Sequence, residues 1–240
     1  MSTTSLAQTT ILTHNSSFFT EESLSLLKQI MYPLQVNDQA CLFREGDNSN
    51  KLYFIYSGRV KLTKLTDYGK EYIFSLYHSG DFFGQIDPLS DSTHTFSAFA
   101  SEDCQIGVIQ KTDLEVLLWQ QGQLAIEFVR LMGYMHRITQ TKVRDFTMFG
   151  KTGALSSLLI RLANSYGTLK NDGILITLKL TNAELSDFIG AARESVNRML
   201  SEWKRLGLLS IHDGYITITD LKALQSICKC ENCPVDICRV

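Results

Sequence analysis

The chain has 240 residues, of which 44% are hydrophobic and only 3 are proline. This length and composition suit one large domain or two ordinary ones with packed cores, and they argue against a disordered chain. The formal net charge of -2 gives no general basicity, so an assignment to DNA binding must rest on a motif. No signal peptide and no apolar run of membrane-spanning length stands out, so we expect a cytoplasmic protein without a membrane partner.

The first part of the chain has the pattern of a small β-barrel. Over residues 36–109, β-branched and aromatic runs alternate with short turns rich in Gly, Asp, Asn and Ser, such as Ser57-Gly58. Short strands at such regular spacing are typical of a barrel. We therefore predict a sensor domain over residues 1–111, with a short helix over 21–31 before the strands.

The next segment, residues 112–149, has helical periodicity with apolar residues at steps of four, three, four and three. Such a row packs either on the helix's own barrel or on a second copy of the helix, as in a coiled coil. Because the row follows one domain and precedes another, we favour pairing and predict a dimerisation helix in a homodimer. The predicted seam consists of Leu124, Phe128, Leu131, Met135 and Ile138.

A second domain is predicted over residues 150–220, with a glycine hinge at 150–153, a helix over 155–166 and a strand over 173–178. Further along, Thr181 and Glu184 have the spacing of a capping box that begins a helix, and Gly190 supplies a tight turn. Apolar residues at the i, i+3, i+4 and i+7 positions then predict the buried face of a second helix. These residues are Val196, Met199, Leu200 and Trp203.

The outer face of this second helix is polar, and a β-hairpin with an Asp213-Gly214 turn follows it directly. An ordinary helical hairpin with a solvated face would explain the helices alone. The capping box, the glycine turn, the paired arginines and the β-wing together favour a winged helix-turn-helix that binds double-stranded DNA. The candidate base-reading residues lie at the helix N-terminus, the end that enters the major groove. They are Arg193, Glu194, Ser195, Asn197 and Arg198.

Over nearly its whole length the chain resembles the CRP/FNR superfamily. The segments 43–46, 52–61 and 80–84 match the family's barrel, and Arg193-Glu-Ser-Val-Asn-Arg198 matches its recognition helix. The resemblance implies an α+β fold: an N-terminal cyclic-nucleotide-binding-like β-barrel (jelly roll), a long dimerisation helix and a C-terminal winged helix-turn-helix. It also implies a non-enzymatic transcription regulator with RNA polymerase as a partner. Because the motif keeps its first arginine, the resemblance implies a TGTGA half-site rather than the enteric FNR-type TTGAT.

The family's cyclic nucleotide pocket is not reproduced. Members that bind cyclic nucleotides have Gly-Glu-Leu followed by Arg-Ser, whereas this chain has Gly84-Gln85-Ile86 and His94-Thr95 at those places. A phosphate there would lack the bidentate, charged partner that an arginine provides. We therefore expect no cyclic nucleotide ligand.

Four of the six cysteines lie within eleven residues of the C-terminal segment 221–240, namely Cys228, Cys230, Cys233 and Cys238. The other two, Cys41 and Cys104, are interpreted as small hydrophobic residues without a function. Thiols grouped in a reducing compartment more often bind metal or do redox work than form disulfides. Such thiolates select an iron-sulfur cluster or zinc, and the spacing alone does not decide between them.

The resemblance favours the cluster. Bacillus-type FNR regulators carry a C-terminal Cys-x2-Cys-x4-Cys that holds a [4Fe-4S] cluster, and Cys230, Cys233 and Cys238 have that spacing. In this type an aspartate near the end of the dimer helix is the fourth ligand, for which Asp145 is our choice and Cys228 the competitor. The resemblance thus implies an oxygen-responsive regulator of anaerobic respiration genes that is active with an intact cluster. The alternatives are a zinc-stapled regulator that senses a small molecule in its barrel, and an iron-sulfur electron carrier.

Overall fold

The computed structural model of the protein describes residues 14–85 and 92–240. Two compact units make up the described chain, His14–His136 and Arg137–Val240, and the boundary between them falls inside one long helix. Among the residues described, no helix combines the length and apolarity that a membrane crossing requires.

The first unit contains a barrel of two four-stranded antiparallel sheets. A 3-10 turn (Asn15–Phe18) and helix α1 (Glu21–Gln29) precede the strands. The strands are β1 (Tyr32–Val36), β2 (Cys41–Phe43), β3 (Lys51–Ser57), β4 (Arg59–Leu65), β5 (Glu71–His78), β6 (Phe82–Phe83), β7 (Ser97–Ala100) and β8 (Cys104–Gln110). Their order is β1-β8-β3-β6 in one sheet and β2-β7-β4-β5 in the other.

Local residues set the start of this barrel. Thr20 caps α1 through its side-chain oxygen, which accepts a hydrogen bond from the backbone N–H of Ser23 at 3.2 Å. The helix ends two residues earlier than the sequence predicts, and β1 begins four residues earlier. Pro33 explains both differences, because the residue before a proline is driven out of the helical region.

The barrel interior is apolar and largely aromatic. Phe43, Tyr53 and Phe83 are buried, and the rings of Tyr53 and Phe83 stack with their centroids 5.1 Å apart. Ile55 and Val60 are completely buried beside them. Side chains from both sheets therefore fill this core.

The helical segment predicted as one piece over 112–149 is in fact two helices, α2 (Lys111–Gln120) and α3 (Gly122–Met148). The break lies at Gln121, whose φ of -123° and ψ of 86° are not helical. Gly122 follows the break, and glycine is a poor residue inside a helix. The predicted apolar row begins at Leu124, after the break, so its periodicity could not reveal the break.

The predicted pairing of the Leu124 row with a second copy is contradicted at Leu124 and Leu131. Leu124 and Leu131 are completely buried in the single chain, and the ring of Phe128 lies 6.4 Å from that of Phe19. These members of the row therefore pack within their own chain, which was the alternative interpretation of the same spacing. Met135 and Ile138 are half-buried, and for them the pairing stays a prediction. Periodicity identifies an apolar face but does not say what covers it.

The second unit combines helices with one antiparallel sheet of order β11-β12-β10-β9. Its core is formed by the apolar faces of helices packed on the sheet. Its elements are α4 (Gly150–Tyr166), β9 (Gly167–Lys170), β10 (Gly173–Ile176), α5 (Asn182–Ile189), α6 (Arg193–Arg205), β11 (Leu209–His212), β12 (Tyr215–Ile218) and α7 (Leu221–Ile227).

Two predictions about this unit need correction. The glycine segment predicted as a hinge forms the first turn of α4, but the helical path is interrupted at its start, at Phe149 and at Gly150, whose φ is 59°. Strand β9 was not predicted, although it pairs with β10 in a hairpin from Gly167↔Ile176 to Lys170↔Gly173. The Asn171-Asp172 pair between the strands is the turn signal that could have revealed it.

Candidate DNA-reading helix and cysteine tail

The helix-turn-helix is built by local contacts that the sequence predicts. Thr181 Oγ1 accepts a hydrogen bond from the backbone N–H of Glu184 at 3.1 Å, and the Glu184 carboxylate accepts one from the backbone N–H of Thr181 at 2.7 Å. The capping box is thus confirmed. Gly190 ends α5 in the left-handed conformation, with φ of 61° and ψ of 25°, which confirms the predicted turn.

Helix α6 presents the candidate base-reading residues to solvent. Its inner face buries Val196, Leu200 and Trp203, and Met199 is half-buried. The first turns carry the exposed side chains of Arg193, Glu194, Asn197 and Arg198, with Ser195 half-buried between them. The helix therefore groups the five residues at one end, where a recognition helix contacts base edges.

Two residues near the wing and α6, Lys179 and Asn182, make contacts that the sequence analysis missed. The β11–β12 hairpin turns through Asp213 and Gly214, both with positive φ, as a two-residue turn of this kind requires. The ammonium of Lys179 lies 5.8 Å from the ring centroid of Tyr215 in this wing. Asn182 donates a hydrogen bond to the side-chain oxygen of Asn197 at 3.1 Å and so orients that amide. No local motif signals either contact.

In the barrel, the residues at the places of the family's phosphate-binding groups interact with protein atoms. His94 is buried and stacks on Phe43 with ring centroids 3.7 Å apart. The Gln85 side-chain oxygen accepts hydrogen bonds from the backbone N–H and the hydroxyl of Thr95, at 3.2 and 3.1 Å. Ile86, the third residue of the Gly84-Gln85-Ile86 segment, lies outside the described residues.

The cysteine tail packs against α4. Arg161 donates to the carbonyls of Ile237 and Arg239 at 3.3 and 3.4 Å, and Asn164 donates to the carbonyl of Cys238 at 2.7 Å. The tail thus has a partly buried surface, which the sequence analysis did not expect. Cys228, at the end of α7, is 4% exposed, whereas the other three tail cysteines are half-buried.

The tail thiols lie within electrostatic reach of one another. Burial, together with the charges of Cys230 and Asp145, raises the pKa of Cys228 to about 11. Burial also raises the pKa of Cys238, although the nearby guanidinium of Arg161 opposes this effect. In the part of the chain that the structure describes, no three side chains of Cys, His, Asp or Glu stand close enough together to hold a metal ion.

Asp145 is buried beside this tail and is bound by arginines rather than by thiols. Arg161 donates to its Oδ2 at 2.7 Å, and Arg144 donates to its Oδ1 at 2.8 and 3.1 Å. Ser157 also donates to Oδ2. Burial alone would raise the pKa of Asp145, but these hydrogen bonds outweigh it and lower the pKa. Arg144 pairs in addition with Glu231 of the tail.

The residues present thus fit a soft metal group in part. Four thiols on one short segment are the donor set that iron-sulfur clusters and zinc require. Asp145 is near enough to them to affect the pKa values of Cys228 and Cys238. It would have to leave its arginine partners in order to bind metal.

Comparisons with known proteins agree with this architecture. Residues 33–121 match the family model described as a cyclic nucleotide-binding domain, and residues 153–227 match that of a Crp-like helix-turn-helix domain. An anaerobic regulatory protein of Bacillus subtilis is 39% identical over 228 residues, which are 94% of this chain and 96% of that protein. The chain belongs to the CRP/FNR family of transcription regulators. Its relatives are DNA-binding regulators rather than enzymes, as the sequence analysis predicts.

More distant members of the CRP/FNR family share the fold. A CRP-like cAMP-activated global transcriptional regulator of Mycobacterium tuberculosis is 23% identical over 202 residues, 84% of this chain and 90% of that one. The structure of FixK2 from Bradyrhizobium japonicum matches with a TM-score of 0.71 at 18% identity, over 82% of this chain and 97% of that chain. The predicted α+β fold of the family is thereby confirmed, and regulators of this family bind DNA as homodimers.

The two matched family segments leave out the candidate metal ligands. Asp145 lies between residues 121 and 153, and all four tail cysteines follow residue 227. Membership of the CRP/FNR family therefore establishes the barrel and the DNA reader. The metal site depends on the chemistry of the tail itself.

Proposed function

We propose that this chain is an oxygen-responsive transcription regulator of anaerobic respiration genes, active while it holds a [4Fe-4S] cluster. The observation that carries the proposal is the occurrence of four cysteines within eleven residues of the tail, two of which, Cys228 and Cys238, interact electrostatically with the carboxylate of Asp145. Similarity to the anaerobic regulatory protein of Bacillus subtilis over nearly the whole chain supports it. When bound, the cluster would supply sensitivity to oxygen, because oxygen destroys exposed clusters of this kind.

Cys230, Cys233, Cys238 and Asp145 would hold the cluster. The three cysteines are half-buried residues of the tail. Cys228 is instead buried directly after α7, where its sulfur donates to the carbonyl of Gln225 at 3.6 Å. This position suits a packing role for Cys228. Asp145 is equally buried, so its choice as the fourth ligand rests on the resemblance to Bacillus-type FNR regulators.

The DNA target would be a palindrome of TGTGA half-sites. Arginine at a recognition helix binds guanine through two hydrogen bonds to its major-groove edge, which suits Arg193 and Arg198. Glu194 would accept from a cytosine amino group, and Ser195 and Asn197 would complete the contacts. The exposed first turns of α6 leave these side chains free for this role.

The dimer would form through a face of α3 different from the seam predicted from the sequence. Three apolar side chains at steps of three residues share one face of the helix and are exposed. A second copy of α3 would cover them and remove apolar surface from water. They are Ile126, Val129 and Met132, which are 52%, 70% and 40% exposed.

The regulator would work in the cytoplasm with RNA polymerase and without a cyclic nucleotide. His94, to which the sequence analysis assigns the position of the phosphate-binding arginine, is stacked on Phe43. Gln85, at the place of the family's ribose-binding glutamate, is bound to Thr95. Neither side chain offers the positive charge that a buried phosphate needs.

The test is purification of the full chain without oxygen, followed by iron, sulfide and zinc analysis and a gel-shift assay on a TGTGA palindrome. We expect brown protein that contains iron and sulfide and binds the palindrome until air is admitted. Colourless protein with bound zinc would favour the zinc-stapled regulator instead. Brown protein without specific DNA binding would favour the electron carrier.

A further inference from the structure

The carboxylate of Asp145 has no free oxygen in the structure. Oδ2 accepts hydrogen bonds from Arg161 and Ser157, and Oδ1 accepts two from Arg144. Asp145 and Arg161 are 4% exposed, so water competes little for these bonds. The lone pairs of a carboxylate held in this way accept hydrogen bonds and are not available to a metal ion.

We propose that Arg161 and Ser157 are positioning residues that compete with iron for the carboxylate of Asp145. This inference rests on the proposed function, in which Asp145 is the fourth ligand. Cluster assembly then exchanges one bond for another: Asp145 leaves the guanidinium and the hydroxyl when it ligates iron. The oxygen response thus depends on the strength of the hydrogen bonds from Arg161 and Ser157 to Asp145 as well as on the cluster.

The contacts of Arg161 explain why this exchange is feasible. Its Nη1 donates to the tail carbonyls of Ile237 and Arg239, whereas its Nη2 binds Asp145. When Asp145 departs, the guanidinium keeps acceptors from the tail and is not left buried without a partner. Arg161 therefore stays bound to the tail in both arrangements, while Asp145 changes its partner.

The exchange also alters how the tail is tied to α3. Asp145 of α3 is joined to the tail through Arg161, and Arg144 of α3 is joined to it through Glu231. A link between helix and tail thus exists without metal. Ligation by Asp145 would replace the flexible guanidinium link with a direct bond, so the cluster would tighten a connection and not create it.

The test compares Ser157→Ala with Ser156→Ala in the full chain. Ser157 donates to Asp145, whereas its buried neighbour Ser156 donates to the carbonyl of Leu224 at 2.7 Å. Each variant loses one hydroxyl from the same helix, so their effects on stability are matched. Each is prepared without cluster and without oxygen, and the cluster formed at limiting iron and sulfide is measured by visible absorbance and iron content.

We expect Ser157→Ala to increase the fraction of chain loaded at limiting iron about fivefold, the size of one hydrogen bond, while Ser156→Ala leaves it unchanged. The thermal unfolding temperature of the cluster-free chain should fall in both variants. Arg161→Gln should increase loading further where it folds. In an Asp145→Asn background, Ser157→Ala should have no effect on loading, since the contested carboxylate is gone.

The outcomes separate this inference from the proposed function. If wild type takes up a cluster but Ser157→Ala loads no better, or loads worse, the competition does not exist although the sensor does. An equal gain in Ser156→Ala would mean that loosening α4 is sufficient, which also overturns the inference. If wild type takes up no cluster under these conditions, the proposed function fails first and the inference fails with it.

Discussion

The recognition helix and the cysteine tail are both candidate binding sites, but they are assembled in different ways. The residues offered to DNA lie within six positions, from Arg193 to Arg198, on one helix whose cap and turn are local. The tail depends on contacts with residues far along the chain, such as Asn164 with Cys238, 74 residues apart. A site made by local contacts can be predicted in detail from sequence, whereas a site made by distant ones is predicted only in composition.

The largest expected effect is on the tail. Changing Cys230, Cys233 or Cys238 to Ala should abolish cluster assembly and specific DNA binding, because each removes a thiolate ligand. Cys228→Ala should leave both nearly intact, since this side chain is buried directly after α7 and is not one of the proposed ligands. Iron content after anaerobic purification and a gel shift on the TGTGA palindrome measure the two properties.

Cys104→Ala is the matched control for these variants, because Cys104 is also a buried cysteine but lies in the barrel. It should retain iron. Loss of iron from Cys228→Ala together with normal iron in Asp145→Ala would show that the tail cysteines form the site alone. The assignment of Asp145 as the fourth ligand would then be wrong. The site would no longer illustrate a dependence on residues distant along the chain.

A large effect is also expected at the exposed face of α3. Val129→Glu should convert the dimer to a monomer, because a charge would be buried at the centre of the apolar row. Sedimentation velocity measures the change, and specific DNA binding should fall with it. Val116→Glu is the control, since Val116 is comparably exposed at 57% but lies on α2. A dimeric Val129→Glu variant would mean that another surface pairs the chains.

An intermediate effect is expected at the recognition helix. Arg193→Ala or Arg198→Ala should cost roughly 1 to 3 kcal/mol of binding free energy on the TGTGA palindrome and leave weak non-specific binding largely unchanged. Base contacts specify the sequence, while phosphate contacts position the protein. Fluorescence anisotropy on specific and random duplexes measures both affinities. Arg205→Ala, at the far end of α6, is the control and should change the ratio of the two affinities little. If Arg193→Ala lowers both affinities equally, Arg193 contacts phosphate and not a base.

The same contrast explains which sequence predictions succeeded. The capping box and the Asp213-Gly214 turn join residues three positions apart or fewer, so residue type and spacing specify them. The partner of the Leu124 row depends on Phe19, more than one hundred positions away, and spacing could not identify it. Asp145 was selected by resemblance, but nothing in the sequence indicated that Arg161 binds it. Buried ion pairs of this kind are specified by tertiary packing.

A smaller effect is expected from the cap of α5. Thr181→Ala removes the oxygen that accepts from the backbone N–H of Glu184, and it should lower the free energy of unfolding by about 1 kcal/mol. Thr181→Ser and Thr181→Asp keep an acceptor and should restore most of the loss. Urea unfolding monitored by circular dichroism provides the measurement. An alanine variant as stable as wild type would show that this local contact is not what holds α5.

The smallest expected effect concerns His94 in the barrel, whose ring stacks on Phe43, a residue distant along the chain. Burial lowers the pKa of His94 below its ordinary value of 6.5, although the charge of Asp47 opposes the shift. Above pH 6.5 the ring is neutral in both the folded and the unfolded chain. As the pH falls through 6.5, the unfolded chain takes up the proton first, so the folded state loses stability until the pH drops below the folded pKa. The free energy of unfolding, measured with urea, should therefore decline between pH 7.5 and 5. This decline should be shallower in His94→Gln. If His94→Gln keeps the slope of wild type, the stacked ring is protonated as easily in the barrel as in water, and its contact with Phe43 does not bury it in the way described.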